Sequence, residues 1–393
     1  MPAGLLIILL GSLIGLTPLA ISMYLPSMPT IVEEISASPQ AVQWTVSIYL
    51  IFFAVPQLFF GPLSDALGRR YTIFCGLAFF FSGSILCALA PNIEILLIAR
   101  ALQGTGSAAI SVTVPALVKD RFEGPEYTRT VGFVMMVMSV APLVAPILGG
   151  FVFTLGGWRS IFYVLAAIAL VSTVVISVAV AESLPGEKRM PLQVSRLLHN
   201  YRILFTDRHA LGLGVCVGAM VAGLMAFIAG SPFVFIEVYG VAPEYYGFLF
   251  GVNVLAMMSL TYANNRLIRY YPNHTLLRGC VVLVVVVSCY LAIISGFKSP
   301  PLWAVVLGSL LYIGNLGMLT ANIQVILLSR FSHMAGATSA MLGSLRFGVG
   351  ALGGVAISIF HGQSSAPLTG VMAACGLTVL LAFMFAGSAP AAE

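Results

Sequence analysis

Charge is what this chain has least of. Its 393 residues include 18 Lys and Arg and 13 Asp and Glu, 8% in all, against 60% hydrophobic residues. A soluble domain carries about 25% charged residues and 45–50% apolar ones. This composition cannot clothe a surface in water, so the chain belongs in a bilayer. The alternating apolar segments of about ten residues that mark a membrane β-barrel are missing as well. So is a Gly-x4-Gly-Lys-Ser/Thr phosphate loop, which means ATP would need a separate subunit. The polar loops are too short for a catalytic domain and hold no hydrolase or metalloprotease motif, so no enzyme is expected. Six cysteines (Cys75, Cys87, Cys216, Cys280, Cys289 and Cys375) lack metal-ligand spacing. They read as small buried hydrophobes, and neither a metal nor a cofactor is expected.

What the chain does have is a succession of long uncharged runs. They cover 1–32, 35–64, 71–93, 101–118, 130–158, 160–181, 210–236, 245–265, 279–297 and 299–329. Each is long enough to cross a membrane as a helix. A further run, 347–392, is interrupted around His361 to Pro367, so it holds the end of one helix and the whole of another. The run that starts at 101 must begin before Arg100. These segments predict an all-α integral membrane protein with twelve transmembrane helices. The first run lacks a basic stretch before it and a small-residue cleavage site, so it reads as a span and not as a signal peptide.

Twelve helices divide the basic residues unequally. One set of loops holds Arg69, Arg70, Lys119, Arg121, Arg129, Lys188, Arg189, Arg196, Arg202, Arg208, Arg266, Arg269, Arg278 and Arg330, and the other holds only Arg159 and Lys298. Lys and Arg accumulate in cytoplasmic loops, so both termini are expected inside, in a bacterial inner membrane. The net charge of +5 is then loop topology, and nothing supports nucleic-acid binding. The longest polar stretch, Glu182 to Arg208, divides the chain into six helices over 1–181, a linker over 182–208 and six helices over 209–393. Pro185, Gly186 and Pro191 interrupt that linker. Leu192 to Phe205 suits a short amphipathic helix on the inner leaflet, with Arg196, His199 and Arg202 on its wet side. The halves echo each other: Asp65-Ala-Leu-Gly-Arg-Arg-Tyr71 against Asn265-Arg-Leu-Ile-Arg-Tyr270, and Gly149-Gly150 against Gly353-Gly354. Repeated halves with a midplane site are the build of many secondary transporters.

Arg100 stands inside an apolar segment. A guanidinium cannot lose its charge at physiological pH, and within a bilayer it must face a polar interior. Arg100, Gln103, Ser107 and Ser111 recur at i, i+3, i+7 and i+11, which puts them on one helix face. Arg346 is a second intramembrane arginine, suited to a substrate carbonyl, a carboxylate or backbone carbonyls. Asn315 and Asn322 share a face at i, i+7 with a substrate-facing role open to them. Tyr24, Trp44 and Tyr49 offer stacking and hydroxyls. Gly61-Pro-Leu-Ser-Asp-Ala-Leu-Gly-Arg-Arg70 supplies a close helix approach at Gly61 and a tight turn at Gly68. Asp65 there can pair with Arg69 or another arginine as a breakable latch. Pro142, Pro146, Gly149 and Gly150 provide proline kinks and glycine packing, suited to a hinge and a seal between halves.

The loop from Gly61 to Arg70 resembles the loop motif of the major facilitator superfamily. Arg100-x-x-Gln103-Gly-x-Gly106 resembles its helix-four motif, and the helix from Ala141 to Gly150 its antiporter motif. Ser22-Met-Tyr-Leu-Pro-Ser-Met-Pro29, Ser231 to Gly247, His333 to Ser339 and Leu345 to Gly350 are similar to the Bcr/CflA group of drug exporters, the bicyclomycin-resistance type. The resemblance implies two six-helix bundles that expose a cavity to either side in turn. It also implies proton-driven export of small neutral or weakly polar antibiotics such as bicyclomycin or chloramphenicol, in which Arg100 tunes the proton site. In that group an aspartate stands where this chain has Ser22, and a serine hydroxyl does not titrate near neutral pH. Three accounts are open: an altered form without its carboxylate, another acid in its place, or a poorly coupled carrier. Glu94 and Glu237 are the acids at helix ends that a cavity would reach, and burial would suit Glu237 to carrying the proton. The expected partners are protons, lipid and a small drug, with a monomer sufficient. A metabolite cargo such as an amino acid or dipeptide is the alternative. A non-transporting membrane sensor is the reading from another class, against which the loops offer no soluble output domain.

Overall fold

A computed structural model describes residues 3–184, 189, 194–360 and 364–387. Pro185, Gly186 and Pro191 lie outside the described residues. The chain divides into two compact units, Met1–Leu192 and Gln193–Glu393. The first contains α1 (Ala3–Ser22), the short α2 (Met28–Glu34), α3 (Pro39–Leu67), α4 (Arg69–Leu89), α5 (Ile93–Arg121) and α6 (Gly124–Ala179). The second contains α7 (Val194–Thr206), α8 (Arg208–Pro232), α9 (Pro243–Leu267), α10 (Asn273–Ser295), α11 (Leu302–Arg330), α12 (Ala335–Ile359) and α13 (Ala366–Ala386).

Among the described residues eleven helices are long and apolar enough to cross a bilayer. One of these, the Val140–Val178 part of α6, is 39 residues long. At 1.5 Å per residue that is nearly twice the roughly 30 Å hydrocarbon thickness. Its dihedrals resolve the excess. Gly156 (φ −146°, ψ 15°) and Gly157 (φ 72°, ψ 178°) leave the helix, so α6 makes two crossings and the chain twelve. The break falls at these glycines, not at Arg159 where the charge had placed it, because Gly157 takes a positive φ that side chains avoid. The expected proline kink is not where the helix breaks, since dihedrals stay helical through Pro142 and Pro146.

The first uncharged run is also divided. Pro26 and Pro29 have no N–H to give and crowd the preceding turn. Accordingly α1 stops at Ser22, a 3₁₀ turn covers Leu25–Ser27, and α2 begins at Met28. At the end of α8 one turn of wider π-helix, Phe233–Val238, carries Glu237. The predicted amphipathic helix appears as α7, with Leu198, His199 and Arg202 all exposed; the side chain of Arg196 lies outside the described residues.

Helix pairings inside each unit repeat. In the first, α3 and α4 pack on α5, α4 packs on α6, and α1 packs on α6. In the second, α9 and α10 pack on α11, α10 packs on α13, and α8 packs on α12 and α13. The paired glycines serve these crossings. A Cβ on Gly149 would collide with the Met23 carbonyl at the end of α1, and one on Gly353 with the Ala222 carbonyl of α8. Both contacts run between backbones, which cannot step aside as a side-chain tip can. Gly149→Ala and Gly353→Ala are therefore each expected to cost about 1–3 kcal/mol, seen as a lower Tm in detergent. Gly279→Ala, with nothing within 4 Å of its Cβ position, is the neutral comparison. Equal melting of all three variants would refute the close crossings.

Candidate functional site

The site forms inside the first unit, where α1, α3 and α5 meet. The glycines of the Arg100 motif make the meeting possible. A Cβ on Gly104 would strike the Tyr49 carbonyl of α3, and one on Gly106 the Phe80 backbone of α4. With hydrogen at both positions, α5 lies close enough for Arg100 to reach two neighbouring helices.

Arg100 is fully buried. Its Nη1 donates to the carbonyl of Ala20 at 3.0 Å and to Gln103 Oε1 at 2.5 Å, and its Nε donates to the carbonyl of Thr45 at 3.3 Å. Ala20 lies in the last turn of α1, where helix carbonyls lose their intrahelical donors. The break imposed by Pro26 thus supplies an acceptor. The guanidinium carbon sits 4.7 Å from the Tyr24 ring centroid and 4.4 Å from that of Tyr49. Each such contact is worth about 0.5–2 kcal/mol when desolvated, so the rings offset part of the several kcal/mol a buried unpaired charge costs. Neither ring brings a negative charge. Among the described residues no carboxylate pairs with Arg100, and Nη2 has no hydrogen-bond partner.

The polar stripe extends from there. Gln103 Nε2 donates to Ser84 Oγ at 2.9 Å, and Ser84 Oγ donates to the Phe80 carbonyl at 2.7 Å. Tyr49 Oη donates to Ser107 Oγ at 2.6 Å, and Tyr24 Oη shares a 2.9 Å hydrogen bond with Thr45 Oγ1. Ser111 bonds its own helix at the Ala108 carbonyl. Ser22 is buried at the end of α1, two residues beyond Ala20. The structure therefore brings together Arg100, Gln103, Ser107, Tyr24 and Tyr49. It leaves Glu94 and Glu237 exposed. The burial expected to suit Glu237 to proton carriage is missing, because the π turn ends at the surface of its unit.

In the second unit, Asn315 donates to the Cys280 carbonyl at 2.7 Å, tying α11 to α10. Asn322 donates to Asn264 Oδ1 at 2.8 Å, tying α11 to α9. Both residues are buried, and their Oδ1 atoms have no partner among the described residues. Arg346 is half-buried, with its guanidinium carbon 5.3 Å from the Phe347 ring and its Nε without a partner.

The Arg69 end of the first unit holds a denser cluster than the sequence suggested. Arg69 Nη1 donates to Asp65 at 2.5 Å and to Ser64 Oγ at 3.1 Å, and its Nε donates to Asp120 at 2.9 Å. Glu182, at the start of the linker, accepts the backbone N–H groups of Arg69 (3.0 Å) and Arg70 (3.2 Å), so it caps α4. Gly68 adopts φ 107°, and a Cβ there would come within 2.5 Å of Glu182 Oε2. It is needed twice over. Gly61 is not needed for packing, since a Cβ there would meet Val112 at an ordinary 3.5 Å. In the sequence only their position beside basic residues at helix ends marks Asp120 and Glu182 for this role. A second such cluster joins Glu34 Oε2 to Trp158 Nε1 (2.8 Å) and Arg159 Nη1 (2.6 Å).

Exposure ranks the two carboxylates on Arg69. The side chain of Asp65 is 49% exposed and that of Asp120 21%. Water screens the first pair far more. Asp120→Asn is expected to cost about 1–3 kcal/mol and Asp65→Asn about 0.2–1 kcal/mol, read as the larger and smaller fall in Tm. A reversed order would place the weight of the cluster on Asp65.

Comparison with known proteins agrees with this architecture. Residues 10–354 match the Major Facilitator Superfamily. An uncharacterised MFS-type transporter of Bacillus subtilis (strain 168), YdgK, is 34% identical over 377 residues, covering 95% of this chain and 93% of that protein. A bicyclomycin resistance protein homolog of Haemophilus influenzae is 28% identical over 379 residues, covering 96% and 95%. A chloramphenicol resistance protein of Pseudomonas aeruginosa is 29% identical over 380 residues, covering 92% and 86%. Among solved structures, the D-xylose–proton symporter superposes with a TM-score of 0.77 at 17% identity, over 99% of this chain and 98% of that one. With such a match along most of its length, a twelve-crossing helical fold and a buried arginine in α5, the chain belongs to the Major Facilitator Superfamily of membrane transporters.

Proposed function

We propose that this protein exports small drug-like molecules across a bacterial inner membrane by alternating access, with both termini in the cytoplasm and one chain sufficient. The names of the Haemophilus and Pseudomonas relatives support the cargo class. The basic loops, fourteen residues against two, support the orientation. In this reading Asp65, Arg69 and Asp120 form a latch that locks one end of the first unit until helices slide, and Glu182 holds the linker to it.

The observation that carries the reading furthest is the buried Arg100, which no carboxylate pairs with among the described residues. Proton exchange needs a group that gains and loses a proton within reach of the cargo. Ser22 has no such proton, and Glu94 and Glu237 are exposed. The protein with Ser22 is thus a carrier that runs down its cargo's own gradient. A carboxylate at position 22, two residues beyond the Ala20 whose carbonyl Arg100 binds, would add the coupling.

Two measurements test this. Cells preloaded with a small-antibiotic panel containing bicyclomycin, chloramphenicol and carboxylate-bearing quinolones, then moved to drug-free medium, are expected to lose at least one member faster when they express the protein. Unchanged loss of every member overturns export. In proteoliposomes an imposed pH gradient is expected to drive uphill transport with Ser22→Asp and only equilibration with Ser22. Equal uphill transport by both would move the proton site away from position 22.

A further inference from the structure

We infer that the cargo carries a carboxylate, and that this carboxylate pairs with Arg100. The inference deepens the exporter reading and rests on it for the direction of movement, but not for binding. It replaces the neutral cargo expected from the sequence with an anionic one.

Charge around Arg100 is unbalanced. Arg100 is permanently cationic and fully buried, yet its acceptors are two carbonyls and one amide oxygen. Those are dipoles. They orient the guanidinium but leave its net charge in place. Four carboxylates of the first unit are engaged elsewhere: Glu34 by Trp158 and Arg159, Asp65 and Asp120 by Arg69, and Glu182 by the N-terminus of α4, while Glu33, Glu123 and Glu126 are exposed. Glu94, six residues before Arg100 on the same helix, is exposed.

The second unit repeats the imbalance. Arg346 is half-buried in α12 without a carboxylate partner among the described residues, while Asp207 is taken by Arg330 at 2.8 Å. Each unit therefore holds a cation within a membrane-spanning helix that no carboxylate pairs with among the described residues. In a low-dielectric interior such a cation attracts an anion strongly, and any guanidinium N–H still free can donate to a carboxylate.

The free atom gives the direction. Nε and Nη1 are committed, whereas Nη2 is buried without a partner. The rings of Tyr24 and Tyr49 lie against the guanidinium. Nη2 is the donor left for the cargo's carboxylate.

The test is ligand-induced stabilisation of the purified full chain in detergent at neutral pH, with benzoate, benzamide and chloride as probes at equal millimolar concentration. A ligand that binds only the folded state raises Tm. Benzoate is expected to raise it by about 2–4 °C, while benzamide and chloride leave it unchanged. Ser22→Asp, which supplies its own carboxylate, is expected to abolish the benzoate shift. Ser22→Asn, of the same size but neutral, is expected to keep it. An equal shift with benzamide, or a benzoate shift that survives Ser22→Asp, overturns the inference. A chloride shift as large as that of benzoate also overturns it, because the site would then take an inorganic anion. Binding is read without transport. A benzoate shift in a protein that speeds the loss of no preloaded antibiotic would leave this inference standing and sink export; the opposite pair of results would do the reverse.

Discussion

One guanidinium that cannot shed its charge sets the layout of the first unit. Arg100 needs acceptors in a region where almost every side chain is hydrocarbon. They come from irregularity. Helix α1 stops at Ser22 and frees the Ala20 carbonyl, and Gly104 and Gly106 let α3 and α4 close on α5. Gln103 passes the hydrogen bonding on to Ser84. Two tyrosine rings cover the faces of the cation. Every one of these features makes less sense without the charge at their centre.

The same economy governs the ends of the unit. Where helices leave the apolar region, acids and arginines bind one another and the exposed backbone. Arg69 collects Ser64, Asp65 and Asp120, Glu182 caps α4, and Glu34 holds Trp158 and Arg159. The carboxylates used in this way are unavailable to Arg100. The repeated helix pairings of the two units, with Gly149 and Gly353 at corresponding crossings, show one packing scheme used twice.

Much of this was legible in the sequence because the bilayer imposes simple rules. A hydrocarbon layer about 30 Å thick demands uncharged runs of about 20 residues, and the runs gave the helices. The i, i+3, i+7 spacing put Arg100, Gln103 and Ser107 on one face. What the sequence hid depends on contacts between distant segments. Asp120 lies 51 residues from Arg69 and Glu182 lies 113, and neither spacing has a local mark. The break in α6 followed a positive φ at Gly157, not the charge at Arg159. Gly61 looked like a packing glycine but has room for a methyl group. The exposure of Glu237 depends on how far the π turn carries it, which no local pattern records.

The claim on which the account turns is that Arg100 lacks an anion. It is tested most directly by supplying one and reading stability alone, with no ligand and no transport. Melting of Ser22→Asp against Ser22→Asn at neutral pH separates charge from size. The account expects the aspartate form to melt higher, with about 1.5–3 kcal/mol gained from a hydrogen bond between charged groups, and the gain to vanish in acid as the carboxylate takes a proton. An aspartate form that melts below the asparagine form at neutral pH would mean that Arg100 is already balanced, and would contradict the account.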